Sequence, residues 1–205
     1  MKKFLLNAFV AAAAVAAAPA HALVVSSVSY VAGALPVVVT STDSPAFSYN
    51  EAAGAFEVNG SFVAYCVEIT QGIHSSILPL DFTETTFGAK QADLTKAVQW
   101  MLNEGTFIPG TKEESALNQA IIWEIVYEDS GSYSFSGGDF TLAGVGAFDF
   151  SQLNSVTSYA TIAKLESSKA QDLLVVTAVP EPSTYALMLA GLAGVGFLAR
   201  RRRAD

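Results

Sequence analysis

Residues 56–69 read Phe-Glu-Val-Asn-Gly-Ser-Phe-Val-Ala-Tyr-Cys-Val-Glu-Ile, and this stretch decides the fold class. Asn59-Gly60 stands between two β-rich runs. Asn-Gly tolerates the positive φ angles of a two-residue hairpin, so two antiparallel strands are expected here. In the second strand Phe62, Ala64, Cys66 and Glu68 fall on one face, and Val63, Tyr65, Val67 and Ile69 on the other. Upstream, residues 23–25, 28–31, 35–40 and 46–49 are further short β-branched or aromatic runs separated by turn residues.

Downstream the period changes. Leu94, Ala97, Val98 and Met101 are spaced i, i+3, i+4 and i+7, with Gly105 as a C-terminal stop. Thr111 and Glu114 form a capping box that opens a second helix, with Leu117, Ala120, Ile121 and Ile125 on one face. Residues 131–146, rich in Gly, Ser and aromatics, read as loop and short hairpins. Residues 155–170 read as a third, polar helix, and residues 173–177 as a final strand. The pattern predicts a mixed, mainly β fold: a β-sandwich or barrel with a small insert of two to three helices at about residues 90–129.

The chain has 205 residues, 51% of them hydrophobic and 15% charged, with a mean hydropathy of +0.38. The ends account for the membrane-like average. Residues 23–179, between them, hold five lysines, no arginine and all but two of the 19 acidic residues, a formal charge of −12. Such a surface repels phosphate backbones, which excludes nucleic acid as a partner. A single cysteine and a single histidine, His74, exclude an internal disulfide and a cysteine-rich zinc site in this region. One domain of this length buries roughly 70% of the surface its unfolded chain exposes.

Residues 1–22 read as a secretory signal. Met1-Lys2-Lys3 supplies the positive start, and residues 4–18 are apolar except for Asn7. Ala20-His21-Ala22 fits a small-x-small cleavage site, making Leu23 the mature N-terminus. The run is short for a retained span, which needs about 20 residues. At the other end, residues 180–205 begin with Pro180-Glu181-Pro182, continue through an uncharged run at residues 185–199, and reach Arg200, Arg201, Arg202 and Arg203. Four arginines hold that end cytoplasmic and place the middle outside the inner membrane.

These three parts, in this order, resemble the PEP-CTERM sorting signal. The resemblance implies an exported protein of a Gram-negative, polysaccharide-producing bacterium, anchored transiently in the inner membrane by a short transmembrane helix. It also implies recognition of Pro180-Glu181-Pro182 by an exosortase, a transpeptidase-like membrane enzyme, followed by tail removal and placement at the cell surface or in the extracellular matrix.

Cys66 is unpaired in an exported chain, so oxidising surroundings require that its sulfur be protected or used. Gln119 stands within an otherwise apolar helical segment, residues 116–125. Tyr65-Cys66-Val67 together with Gln119-Ala120-Ile121-Ile122-Trp123 resembles the paired motifs of the Cys–Gln thioester domains of bacterial surface adhesins. On that resemblance Cys66 supplies the sulfur and Gln119 the acyl group of an internal thioester that captures amines. The residues alone also allow Cys66 to be a small buried hydrophobe and Gln119 a polar residue on a helix rim. His74 reads as an exposed loop residue, and Glu124, Glu128 and Asp129 as a solvated helix end. Ser136-Gly137-Gly138-Asp139 lacks the spaced acids of a calcium loop.

The expected function is therefore that of a cell-surface or matrix protein, a covalent adhesin bearing a Cys66–Gln119 thioester. The alternative is a non-covalent structural or carbohydrate-binding component of biofilm or extracellular polysaccharide. Neither is an enzyme, and neither requires a cofactor or metal. The expected partners are the exosortase and an amine-bearing surface ligand or extracellular polysaccharide.

Overall fold

The computed structural model describes residues 22–43, 45–129 and 131–178. The expected signal and sorting tail, with its apolar helix, lie outside these residues. Ten strands and two α-helices are present among them: β1 (Ala22–Val25), β2 (Val28–Tyr30), β3 (Leu35–Ser41), β4 (Phe47–Ala53), β5 (Phe56–Val58), β6 (Phe62–Cys66), β7 (Leu80–Thr85), α1 (Gln91–Asn103), α2 (Lys112–Tyr127), β8 (Phe140–Ala143), β9 (Thr161–Glu166) and β10 (Leu173–Ala178). Seven strands form one sheet in the order β1-β7-β9-β10-β6-β5-β2, and β4-β3-β8 form a second. Every pairing is antiparallel.

The large sheet nearly closes on itself. Its two edge strands, β1 and β2, are consecutive in the chain and separated only by Ser26 and Ser27. Two residues reach only about 7 Å, so the sheet must curl until its edges meet. Asn59, at the tip of the β5–β6 hairpin, fastens the seam. Its Oδ1 accepts the N–H groups of Ser26 (2.8 Å) and Ser27 (3.2 Å), and its Nδ2 donates to the Val24 carbonyl (2.8 Å). Asn59 and Gly60 have φ of 54° and 62°, the doubly positive geometry of a type I′ turn. Asn59→Ala is expected to cost about 2 kcal/mol, since turn and seam fail together. A thermal midpoint within a degree of the parent would contradict that dual role.

Strand β6 separates two cores. Ala64 and Cys66 face one, shared with Val37, Val39, Phe140 and Trp123. Tyr65 and Val67 face the other, with Leu94, Met101, Ile121, Ile125 and Leu174. Helix α2 serves both: Ala116, Ala120 and Trp123 pack in the first, Ile121, Ile122 and Ile125 in the second. A helix used on opposite faces is buried nearly all round, and residues 118–125 of α2 are fully buried. Gln119 is thus a core residue, not a rim residue.

The N-terminus of α2 is capped by Thr111, whose side chain accepts the Glu114 N–H at 3.1 Å, while Glu114 reaches back to the Gly110 N–H at 2.8 Å. The third, polar helix expected at residues 155–170 does not form. Residues 150–155 make a short 3-10 turn and residues 161–166 are strand β9, paired with both β7 and β10. Ile162, Ala163 and Leu165 fit a helical spacing as readily as a strand buried on both faces. The sheet decides, because β10 and β7 each need a partner there.

Candidate functional site

Cys66 closes β6 and is 3% exposed, and Gln119 is 0% exposed. The β5 partner strand runs out one rung too early for Cys66: Phe56 pairs with Ala64, and the next backbone bonds of residue 55 go to Val31 and Ser115. Gln119 fills the empty rung. Its Oε1 accepts the Cys66 N–H at 2.9 Å and its Nε2 donates to the Cys66 carbonyl at 2.7 Å. A side-chain amide thereby acts as a one-residue strand. On the other side of β6, Leu173 pairs with Cys66 and the Val67 N–H reaches the Asp172 carbonyl at 3.0 Å.

The structure thus brings Gln119 to the Cys66 peptide, while the thiol itself bonds elsewhere. Cys66 Sγ donates to Gln171 Oε1 at 2.8 Å, and Gln171 Nε2 donates to the Glu68 carbonyl. Burial pushes the thiol pKa well up, and the charge of Glu51 pushes it further. The sulfur is therefore protonated at neutral pH, and attack on a carboxamide requires a proton acceptor.

A cavity of about 390 Å³ opens beside the sulfur. Tyr30, Glu51, Cys66, His74, Trp123 and Gln171 line it. Trp123 is 2% exposed, yet its indole N–H has no hydrogen-bond partner among the described residues. Burial also raises the Glu51 carboxyl. Sequence reasoning missed Glu51 and Gln171, whose only signal is the topology that gathers distant segments, and it had Trp123 only as part of the motif around Gln119. His74 is exposed, and it borders this cavity.

Glu124 and Glu128 are fully buried, which corrects their reading as a solvated helix end. They pin the segment at residues 134–140 under α2. Glu124 Oε1 accepts the Ser134 N–H at 2.6 Å, and Glu128 Oε2 accepts the N–H groups of Asp139 (2.8 Å) and Phe140 (3.1 Å). Glu124 Oε2 has no partner among the described residues. Burial pushes the Glu124 carboxyl up to about 7, the Ser134 bond opposing this and the charge of Glu128 adding to it. A carboxyl raised in the folded state holds its proton more tightly there. Its contribution is complete below its ordinary value of 4.5 and is lost as pH rises through about 7. Urea unfolding is expected to show stability falling by up to about 3 kcal/mol across that window. Glu124→Gln should flatten the slope, and an unchanged slope would exclude Glu124 as its source.

Among the described residues no cluster of three or more His, Cys, Asp or Glu could hold a metal ion. No helix among them is long and apolar enough to cross a membrane. No curated protein and no solved structure matches the chain. Residues 178–203 match the model of the PEP-CTERM protein-sorting motif. The motif implies export through a membrane-anchored precursor, with an exosortase as its processing partner.

Proposed function

We propose that residues 23–179 act at the cell surface or in the extracellular matrix as a covalent capture domain, through an internal thioester between Cys66 Sγ and Gln119 Cδ. One observation carries this reading: the Gln119 carboxamide is seated by two hydrogen bonds on the peptide of the lone cysteine, in a buried site. The Cys66 N–H polarises the acyl oxygen as an oxyanion donor does. Bond formation requires the Cys66 side chain to turn away from Gln171 and toward the acyl carbon. The S–C bond forms, the C–N bond breaks, and the thiol proton passes to the nitrogen, which leaves as ammonia. Holding both groups together is what makes an amide a usable electrophile, and exclusion of water protects the product. An amine later opens the thioester, leaving an amide on residue 119 and a free thiol. The domain reacts once and does not turn over, so it is not an enzyme.

The test is intact mass. The parent domain is expected to weigh one ammonia less than its sequence requires, and methylamine should add its full mass at Gln119, ending one CH2 above the sequence mass, while exposing an alkylatable thiol. Cys66→Ala should have full sequence mass and capture nothing. Peptide mapping distinguishes Gln119 from Gln171, and methylamine found on Gln171 would sink the pairing.

A second reading has its own observation. An open groove of about 850 Å³ is lined by Thr83, Thr85, Lys90, Tyr127, Lys164 and Glu166 among others. Lys164 pairs there with Asp172 at 2.9 Å. Hydroxyls, charges and an aromatic edge suit a polysaccharide chain held without a covalent bond. Saturable glycan binding that survives Cys66→Ala, in a parent of full mass, would favour it.

A further inference from the structure

Thioester chemistry as stated leaves one role empty, a base for the incoming amine, and the cavity beside Cys66 contains a candidate. Glu51 comes from β4 in the small sheet, Cys66 from the end of β6 and Trp123 from α2, so three separate elements converge on one space. Among the described residues no lysine or arginine lines it. Tyr30, Cys66 and His74 are the other titratable groups around it. The Trp123 N–H, unpartnered among the described residues, is an independent sign that the cavity is built for an occupant, because a buried donor without an acceptor is costly. Its volume suits the end of a small alkyl chain.

We propose that Glu51 is the general base of amine capture, receiving an alkylammonium in this cavity and removing its proton. The inference rests on the thioester reading above. The ammonium first pairs with the Glu51 carboxylate beside Tyr30 and Phe56, whose rings stack with centroids 4.6 Å apart. Glu51 takes one proton, and the freed amine lone pair attacks the Gln119 acyl carbon. The C–N bond forms and the C–S bond breaks. The proton on Glu51 then passes to the departing sulfur, which ends as the thiol, while the second ammonium proton in excess goes to solvent as the amide forms. Trp123 lies four residues after Gln119 on the same side of α2, and its free N–H offers a donor to the acyl oxygen as charge develops there. Burial raises the thiol pKa, and the charge of nearby Glu51 adds to that rise.

The experiment measures capture rates on the full exported domain with two probes, methylamine and hydroxylamine. Methylamine is almost wholly protonated at neutral pH and hydroxylamine is not. Glu51→Gln is expected to form the thioester, seen as the mass one ammonia short, and to capture methylamine at least about 100-fold more slowly. Hydroxylamine should be slowed far less, and Glu51→Asp should recover part of the methylamine rate. Equal slowing with both probes would mean a structural role and overturn the proposal, as would methylamine capture at the parent rate. A Glu51→Gln protein of full mass would move Glu51 from capture to bond formation and overturn it too. A parent of full mass that captures neither probe refutes the thioester reading itself, a result distinguishable from the other three.

Discussion

On a Cys66→Ala background, where no thioester can form, adding Gln119→Ala is expected to lower the unfolding free energy by about 4 kcal/mol. The reason is the rung that Gln119 completes. Its removal leaves the N–H and the carbonyl of residue 66 unpaired in the interior, each costing about 1–3 kcal/mol, and opens a cavity between β6 and α2. Measured against a parent whose thioester has been opened, Cys66→Ala alone should cost only about 1–2 kcal/mol, because it removes a small side chain and leaves every backbone bond in place. Urea denaturation of the two variants measures the difference. Similar midpoints would show that water or another group satisfies residue 66, and that Gln119 does not hold the strand. The comparison also identifies Cys66→Ala as the cleaner variant for chemistry, since Gln119→Ala disturbs the fold as well as the reaction.

Gly138→Ala is expected to be comparably severe, at about 3–5 kcal/mol. Gly138 has φ +98°, and a Cβ built there would lie 1.9 Å from Glu128 Oε2. That oxygen holds the N–H groups of Asp139 and Phe140, so it cannot move aside without abandoning them. Gly137, one residue earlier, is the control. Its added Cβ would meet only Ser134 Oγ at 3.9 Å, an ordinary contact. Gly137→Ala should therefore stay within about 0.5 kcal/mol of the parent. If the two alanine variants melted together, steric conflict with Glu128 would not be the cause.

The β5–β6 hairpin and both α-helices were legible because their signals are local. Asn59-Gly60 carries its turn in two residues, and Thr111 with Glu114 announces a helix start within four. Strand β7 carried no such mark: in Leu80–Thr85 only Phe82 is fully buried, and the other positions are polar or partly exposed. Strand β9 was hidden because its buried residues suit either period, and only its neighbours choose. The site shows the same division. Cys66 and Gln119 could be singled out as chemically unusual for their surroundings. Glu51 sits among polar residues of an edge strand and Gln171 in a loop. Nothing in those neighbourhoods distinguishes them until the two sheets are stacked. Glu124 and Glu128 looked solvated because helix ends usually are, whereas the segment at residues 134–140 folds back over them.

Strand β10 is the last described element before the sorting motif, and it runs through the middle of the large sheet with β9 on one side and β6 on the other. For a protein tethered through its C-terminal end, that position governs its response to mechanical load. Tension applied beyond Ala178 pulls along β10, so the hydrogen bonds to both neighbours bear it in shear and must fail nearly together. An edge strand in the same place would peel away one bond at a time. The load path also passes Leu173, which pairs with Cys66, and so reaches the point where Gln119 joins β6 to α2. A partner captured at residue 119 and an anchor beyond residue 178 would thus pull on opposite sides of the same rung, and the lifetime of the attachment under flow would follow the unfolding rate of this sheet more than any binding equilibrium.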